Sequence, residues 1–301
     1  MKKNSLPCKP ETGVCEIAAG EPNETQQIDF KSVKPIKVVY FTDPICSACW
    51  GLEPLLRKLK LEYGHILDVE YHMGGLLKDW SYNKDGISSP SDVAKHWEEA
   101  SETYDMPMLG DVMLDDPIMS SYPPSIAFKA AQIKSEATAI NFLRTMREML
   151  YLEKKNIEKW EFQKEAAQRV GLDISKLQKD MELEGKTNFE NDLKLRQTMQ
   201  VRGLPTLFFI NSEGKSEIVF ALRPYSFMEK AVLKVYADTH KQQYDTSWQG
   251  VFSVYPTLTS REFAELTDTD RIKVDAVLQE LVAKGELSVF TTRNGNLYIR
   301  K

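Results

Sequence analysis

Two cysteines separated by two residues open the stretch Cys46-Ser47-Ala48-Cys49-Trp50-Gly51. A thiolate is both a nucleophile toward disulfides and a metal ligand, so a Cys-x-x-Cys pair can exchange with disulfides or supply half of a zinc site. Zinc needs a second pair of ligands. His65, His72, His96 and His240 are scattered without ligand-like spacing, which leaves only Cys8 and Cys15 as a second half. The expectation is therefore dithiol chemistry with no metal and no organic cofactor. Cys46 is the candidate nucleophile. Cys49, one helical turn on, is the candidate resolving thiol.

That chemistry depends on where the pair sits. Ile36-Lys37-Val38-Val39-Tyr40-Phe41 is a β-branched and aromatic run, read as a buried strand. Thr42-Asp43-Pro44 breaks it, and a helix is predicted from about Cys46 to Tyr63, stopped by Gly64. Cys46 thus falls at a helix N-terminus, where unpaired N–H groups and the macrodipole favour a thiolate. Ile66 to Tyr71 reads as a second strand ending at Gly74-Gly75. Residues 76 to about 200 carry apolar positions at helical spacing, among them Phe142, Met146, Met149 and Leu150, which read as core faces. Thr206 to Ile210, a turn at 211–215 and Glu217 to Leu222 form a hairpin, and Tyr225 to Tyr236 an amphipathic helix. The order is strand, helix, strand, helical block, hairpin, helix.

Phe41-Thr42-Asp43-Pro44-Ile45-Cys46-Ser47-Ala48-Cys49-Trp50-Gly51 resembles the active-site segment of DsbA-like thioredoxin-superfamily oxidoreductases, in particular the FrnE-like, predicted dithiol–disulfide isomerase group. Val201-Arg202-Gly203-Leu204-Pro205-Thr206-Leu207-Phe208 resembles the second hallmark of that family. The resemblance covers roughly residues 36 to 240 and implies an α/β thioredoxin fold with a helical insertion. It also implies that Pro205 is a cis-proline facing the reactive cysteine and that Leu204 faces substrate. Ser47-Ala48 departs from the dipeptides of both strongly oxidising and strongly reducing members, so the direction of exchange stays open. Trp50 reads as an aromatic wall beside the site or as helix packing. Asp43 reads as a partner or proton acceptor for Cys46, against the commoner solvated or capping loop carboxylate.

The flanks read differently. Residues 1–34 are polar and aperiodic, expected to be a flexible tail. Its Cys8 and Cys15 can form a labile disulfide, relay electrons to Cys46 and Cys49, bind metal, or do nothing. Residues 241–256 read as a linker. Residues 257–301 read as two helices and a hairpin around Arg293-Asn294-Gly295-Asn296, a small winged-helix-like module. From Pro256 to Lys301 there are seven Lys or Arg and seven Asp or Glu. A face without excess positive charge argues against nucleic acid and for a protein partner or dimer contact. The whole chain carries a net charge of -5, which gives no electrostatic pull toward nucleic acid or anionic membrane. Lys2-Lys3 is not followed by an apolar stretch, so no secretory signal is read and a cytoplasmic protein is expected. The expected reaction is exchange with protein or low-molecular-weight thiols and disulfides. The alternative is an adaptor that delivers a partner to a protease or senses thiol stress.

Overall fold

The computed structural model describes residues 8–9 and 13–16 as backbone, and residues 32–81 and 88–301 with side chains. The elements run β1 (Cys8–Lys9), β2 (Val14–Glu16), β3 (Ile36–Thr42), α1 (Ser47–Tyr63) and β4 (Leu67–Met73). The helical block follows: α2 (Pro90–Tyr104), α3 (Asp111–Asp115), α4 (Tyr122–Lys134), α5 (Glu136–Tyr151), α6 (Trp160–Arg169), α7 (Ile174–Asp180), a π turn (Met181–Gly185) and α8 (Lys186–Thr198). Then come β5 (Gly203–Leu204), β6 (Thr206–Asn211), β7 (Ser216–Phe220) and α9 (Tyr225–Val235). The chain ends in α10 (Trp248–Val254), β8 (Thr257–Thr259), α11 (Ser260–Thr267), α12 (Arg271–Ala283), β9 (Leu287–Thr292) and β10 (Gly295–Arg300).

The central sheet has the order β4-β3-β6-β7. β3 lies parallel to β4 and antiparallel to β6. Every residue of β3 is buried, which is why its sequence is a continuous run without polar alternation. The parallel β3–β4 pair requires a crossover, and α1 supplies it. With the helical block inserted between β4 and β5, this is a thioredoxin-like fold of mixed α and β content. α4 begins with Pro123 and Pro124 in its first turn, where missing N–H donors are not needed.

Apolar side chains from Ile36 through Val235, joined by Leu297 of β10, form one core. Val251, Phe252, Leu258, Phe263, Val274, Leu278 and their neighbours form a second. The 241–256 stretch, expected to be a linker, contains α10, and Val251 and Phe252 anchor it in this second core. The apolar pair was too short to announce a helix by periodicity. Likewise, of the stretch expected to be a flexible tail, β1, β2, Gly13 and residues 32–34 are described, and the remainder lies outside the described residues. A strand of two or three residues carries no period; pairing with β5 makes it one.

The two cores meet across a buried ion cluster. Arg144 on α5 grips Glu262 on α11 with two parallel bonds of 2.7 and 2.9 Å and reaches Glu148 at 2.6 Å. Arg57 on α1 approaches Glu262 at 3.1 Å and donates to the Thr257 carbonyl at 2.8 Å. Glu262 is fully buried and closes a capping box with Thr259.

Candidate functional site at the mouth of helix α1

β3 ends at Thr42, and Asp43-Pro44-Ile45 turns the chain into α1. Asp43 organises that turn. Its Oδ1 accepts from the Ile45 N–H at 3.1 Å, and its Oδ2 from the Leu76 N–H at 2.8 Å and the Ser121 hydroxyl at 2.9 Å. The sequence left a solvated loop carboxylate as the ordinary expectation. Instead Asp43 is fully buried, because β4 and the block after it close over the turn. Burial pushes its carboxyl up to about 6, although the Leu76, Ile45 and Ser121 donors pull the other way.

Cys46 caps the helix. Its backbone is extended, and its Sγ accepts from the Cys49 N–H at 3.2 Å, the place a serine or aspartate oxygen takes in ordinary caps. Cys46 and Cys49 are both free thiols and both fully buried. They share one electrostatic fate. Burial pushes the Cys46 thiol well up, with Cys49 and Asp43 adding to it, and the Cys49 N–H only partly opposes them. Burial raises Cys49 too, but the hydrogen bond from Cys46, the Arg147 charge and the Thr42 hydroxyl outweigh it and hold Cys49 below the ordinary thiol range. In this closed site Cys49 is the thiol that gives up its proton more readily. A helix N-terminus alone favours the thiolate on Cys46, as the sequence led one to expect. Desolvation reverses it, and admitting water to Cys46 removes that opposition.

The cation beneath the pair was missed by sequence reasoning. Arg147 is fully buried on α5. Its Nη1 donates to Glu53 at 2.6 Å, and its Nη2 to the Thr42 hydroxyl at 2.6 Å and the Asp43 carbonyl at 3.0 Å. A lone arginine within the apolar stripe of Phe142, Met146 and Leu150 was the available signal. Tyr40 and Tyr151 are buried beside the pair, and the Tyr151 hydroxyl has no hydrogen-bond partner among the described residues. Burial pushes both phenols well up, with the thiols adding to the effect. Ser47, between the cysteines, meets His96 Nε2 of α2 at 2.9 Å.

Trp50 does not offer a face to substrate. It is fully buried, donates its indole N–H to the Pro107 carbonyl at 3.1 Å, and stacks on Tyr151 with 5.6 Å between centroids. The Arg144 guanidinium covers its ring at 4.4 Å. Of the two readings of Trp50, helix packing is what the structure shows, since the helical block closes on that side.

The Leu204–Pro205 peptide is cis. Thr206, directly after it, pairs with Phe41, at the end of the strand that leads into Cys46. Leu204 is fully buried and packs on Gly74, where a Cβ would come within 2.6 Å of its side chain. The edge of β5 that was expected to face substrate is occupied: β2 runs antiparallel along it, with Cys15 opposite Leu204 and Glu16 opposite Gly203. Cys8 lies opposite Cys15 in the β1–β2 pair.

Comparison with known proteins accords with this geometry. The Thioredoxin_5 family, described as thioredoxin, matches residues 40–230. The ClpXP adapter protein SpxH of Halalkalibacterium halodurans is 31% identical over 302 residues, covering 98% of this chain and 97% of that protein. The ClpXP adapter protein SpxH of Shouchella clausii is 27% identical, covering 97% of this chain and 95% of that protein. Among solved structures, the cytosolic disulfide reductase DsbM from Pseudomonas aeruginosa has the same fold, with a TM-score of 0.53 at 20% identity, over 64% of this chain and 97% of that one. The chain belongs to the Thioredoxin_5 family and, within it, to the group that contains the SpxH proteins.

Proposed function

We propose that this chain is a ClpXP adaptor built on a DsbA-like thioredoxin fold. The observation that carries the proposal is end-to-end similarity to a ClpXP adapter protein, 98% of this chain against 97% of that one, C-terminal elements included. The order α10, β8, α11, α12, β9, β10 supports reading that part as a winged-helix-like module. Its charge balance and the exposed Ile272 on α12 suit a protein partner rather than DNA. Among the described residues no helix is long and apolar enough to cross a membrane. A cytoplasmic location is part of the proposal. The test is degradation of the soluble proteome by ClpXP with and without the chain, read by quantitative mass spectrometry. A small set of proteins should disappear faster when the chain is present; an unchanged profile rejects the adaptor.

A second reading is favoured by the site itself. Two free thiols at a helix N-terminus, beside a cis-proline and above a buried arginine, support thiol–disulfide exchange with protein or small-molecule thiols. Cys46 is then the attacking thiol and Cys49 the resolving one, and an external substrate that pairs beside Leu204 and Pro205 takes the edge that β2 occupies here. The two readings are compatible, since exchange at Cys46 can set whether a partner binds. Titration of the pair against a glutathione redox buffer tests it. A reversible two-electron transition should appear and be lost in Cys46→Ser and Cys49→Ser. No transition in the wild-type chain rejects this reading and leaves the adaptor untouched.

A further inference from the structure

We propose that the Cys8–Cys15 hairpin is an intramolecular exchange partner of the Cys46–Cys49 pair, seated on the sheet edge beside it. The inference rests on the thiol-exchange reading and names one substrate for it, the chain's own N-terminal dithiol. Three backbone observations carry it. First, β1 and β2 pair antiparallel with Cys8 opposite Cys15. Directly opposed residues in such a pair have Cα atoms about 4.5 or 5.5 Å apart, which is within the span a disulfide bridges. Second, Cys15 is opposite Leu204, the residue before the cis-proline, and Thr206 just beyond that proline pairs with Phe41, at the end of the strand that leads into Cys46. Third, the hairpin is fastened to the fold. β2 lies against α1. Gly13 shares a cleft of about 350 Å³ with Gly51 and Leu55 of that helix and with Tyr104.

The Gly13 contact depends on its residue type. Its φ is +62°, its carbonyl accepts from the Leu222 N–H, and a Cβ there would lie 2.7 Å from the Leu222 carbonyl oxygen. Cys15 is thus held between an anchor at α1 and the β5 edge. Strand addition to an open sheet edge is a general mode of peptide recognition. Here the chain supplies its own strand.

The exchange is balanced. A low-molecular-weight disulfide first oxidises Cys8 and Cys15, leaving as two thiols. The Cys46 thiolate attacks Cys15 Sγ, forming a Cys46–Cys15 bond and releasing Cys8 as a thiolate that takes up a proton. The Cys49 thiolate then attacks Cys46 Sγ, forming the Cys46–Cys49 disulfide and releasing Cys15, which is protonated in turn. Two electrons pass from the inner pair to the outer one, and the reverse sequence returns them.

The test uses the full-length Cys49→Ser chain, which cannot resolve the intermediate. It is reduced, treated with oxidised glutathione, digested without reductant and examined by mass spectrometry. A Cys46–Cys15 cross-link is expected. It should be lost when Cys15→Ser is added, without an equal amount of Cys46–Cys8 taking its place. If the wild-type chain forms Cys46–Cys49 but the Cys49→Ser chain gives only Cys46–glutathione, the internal partner is overturned and the exchange reading stands. If the wild-type pair never oxidises, both fall.

Discussion

Asp43 is a carboxyl with three donors aimed at it and no solvent around it. In the unfolded chain it titrates near 3.8; in the folded chain burial raises it to about 6. Between those values the folded chain binds more protons than the unfolded one, so stability falls as pH rises through that window. The loss by neutral pH is on the order of 3 kcal/mol from this group, at about 1.4 kcal/mol per unit. Asp43→Asn removes the titration, and denaturant unfolding from pH 4 to 7 should lose that slope. A slope as steep as wild type would place the titration elsewhere. Thr42 gives a second residue-scale prediction, since its hydroxyl accepts from Arg147 and helps hold the Cys49 thiol down. Thr42→Val keeps the shape and removes the oxygen. The Cys49 thiol should titrate higher by ultraviolet thiolate absorbance, at a stability cost of about 1–3 kcal/mol for the donor left behind. An unchanged titration would mean that Cys46 and Arg147 hold the thiol down without Thr42.

At the scale of elements, α11 joins the two cores by one side chain. Glu262 holds Arg144 and Arg57, and it also accepts from the Thr259 N–H at 2.8 Å. Burial raises its carboxyl, but the two arginines win and hold it below the ordinary range. Its contribution is therefore present above the unfolded value and is lost as pH falls through the folded one. Glu262→Ala leaves two buried guanidinium groups short of a partner and should cost about 3–5 kcal/mol. Thr259→Ala removes the cap oxygen and its weak bond to the Met106 sulfur and should cost about 1 kcal/mol. Chemical denaturation of the two variants separates the ion cluster from the cap. Equal losses would show that the arginines find other partners.

For the whole molecule, the cores are joined by polar contacts as well as by apolar packing of Leu297 and Leu61. Beyond the Glu262 cluster, Arg271 on α12 reaches Asp105 at 2.6 Å, and Asn294 donates to the Met108 carbonyl at 2.6 Å. Lys58 on α1 reaches Asp268 at 2.8 Å. Units held this way should unfold together. Native-state hydrogen exchange of amides in α12 and in β3 should report the same opening free energy, and their melting should coincide. Separate transitions would mean that the C-terminal unit opens by itself. Coincident unfolding would also tie the C-terminal unit to the Cys46–Cys49 pair, because Arg144 touches both Glu262 of α11 and the Trp50 ring beside Cys49.

What the sequence determined by itself is local. A β-branched run, a Thr-Asp-Pro break and a helical pattern place Cys46 and Cys49 at a helix mouth. The Gly-Leu-Pro segment before β6, the hairpin and the C-terminal helices were legible for the same reason: turn and period signals act over a few residues. The tertiary structure decided everything that depends on burial and on distant partners. Arg147 meets Glu53 across a separation of 94 residues and Thr42 across 105. Trp50 turns inward because the block from α2 to α5 closes over it. β2 exists as a strand because β5 offers it an edge. Cys49 rather than Cys46 is the thiol held down because ionisation follows solvent access and a buried cation, and both are set by packing between segments far apart in the chain.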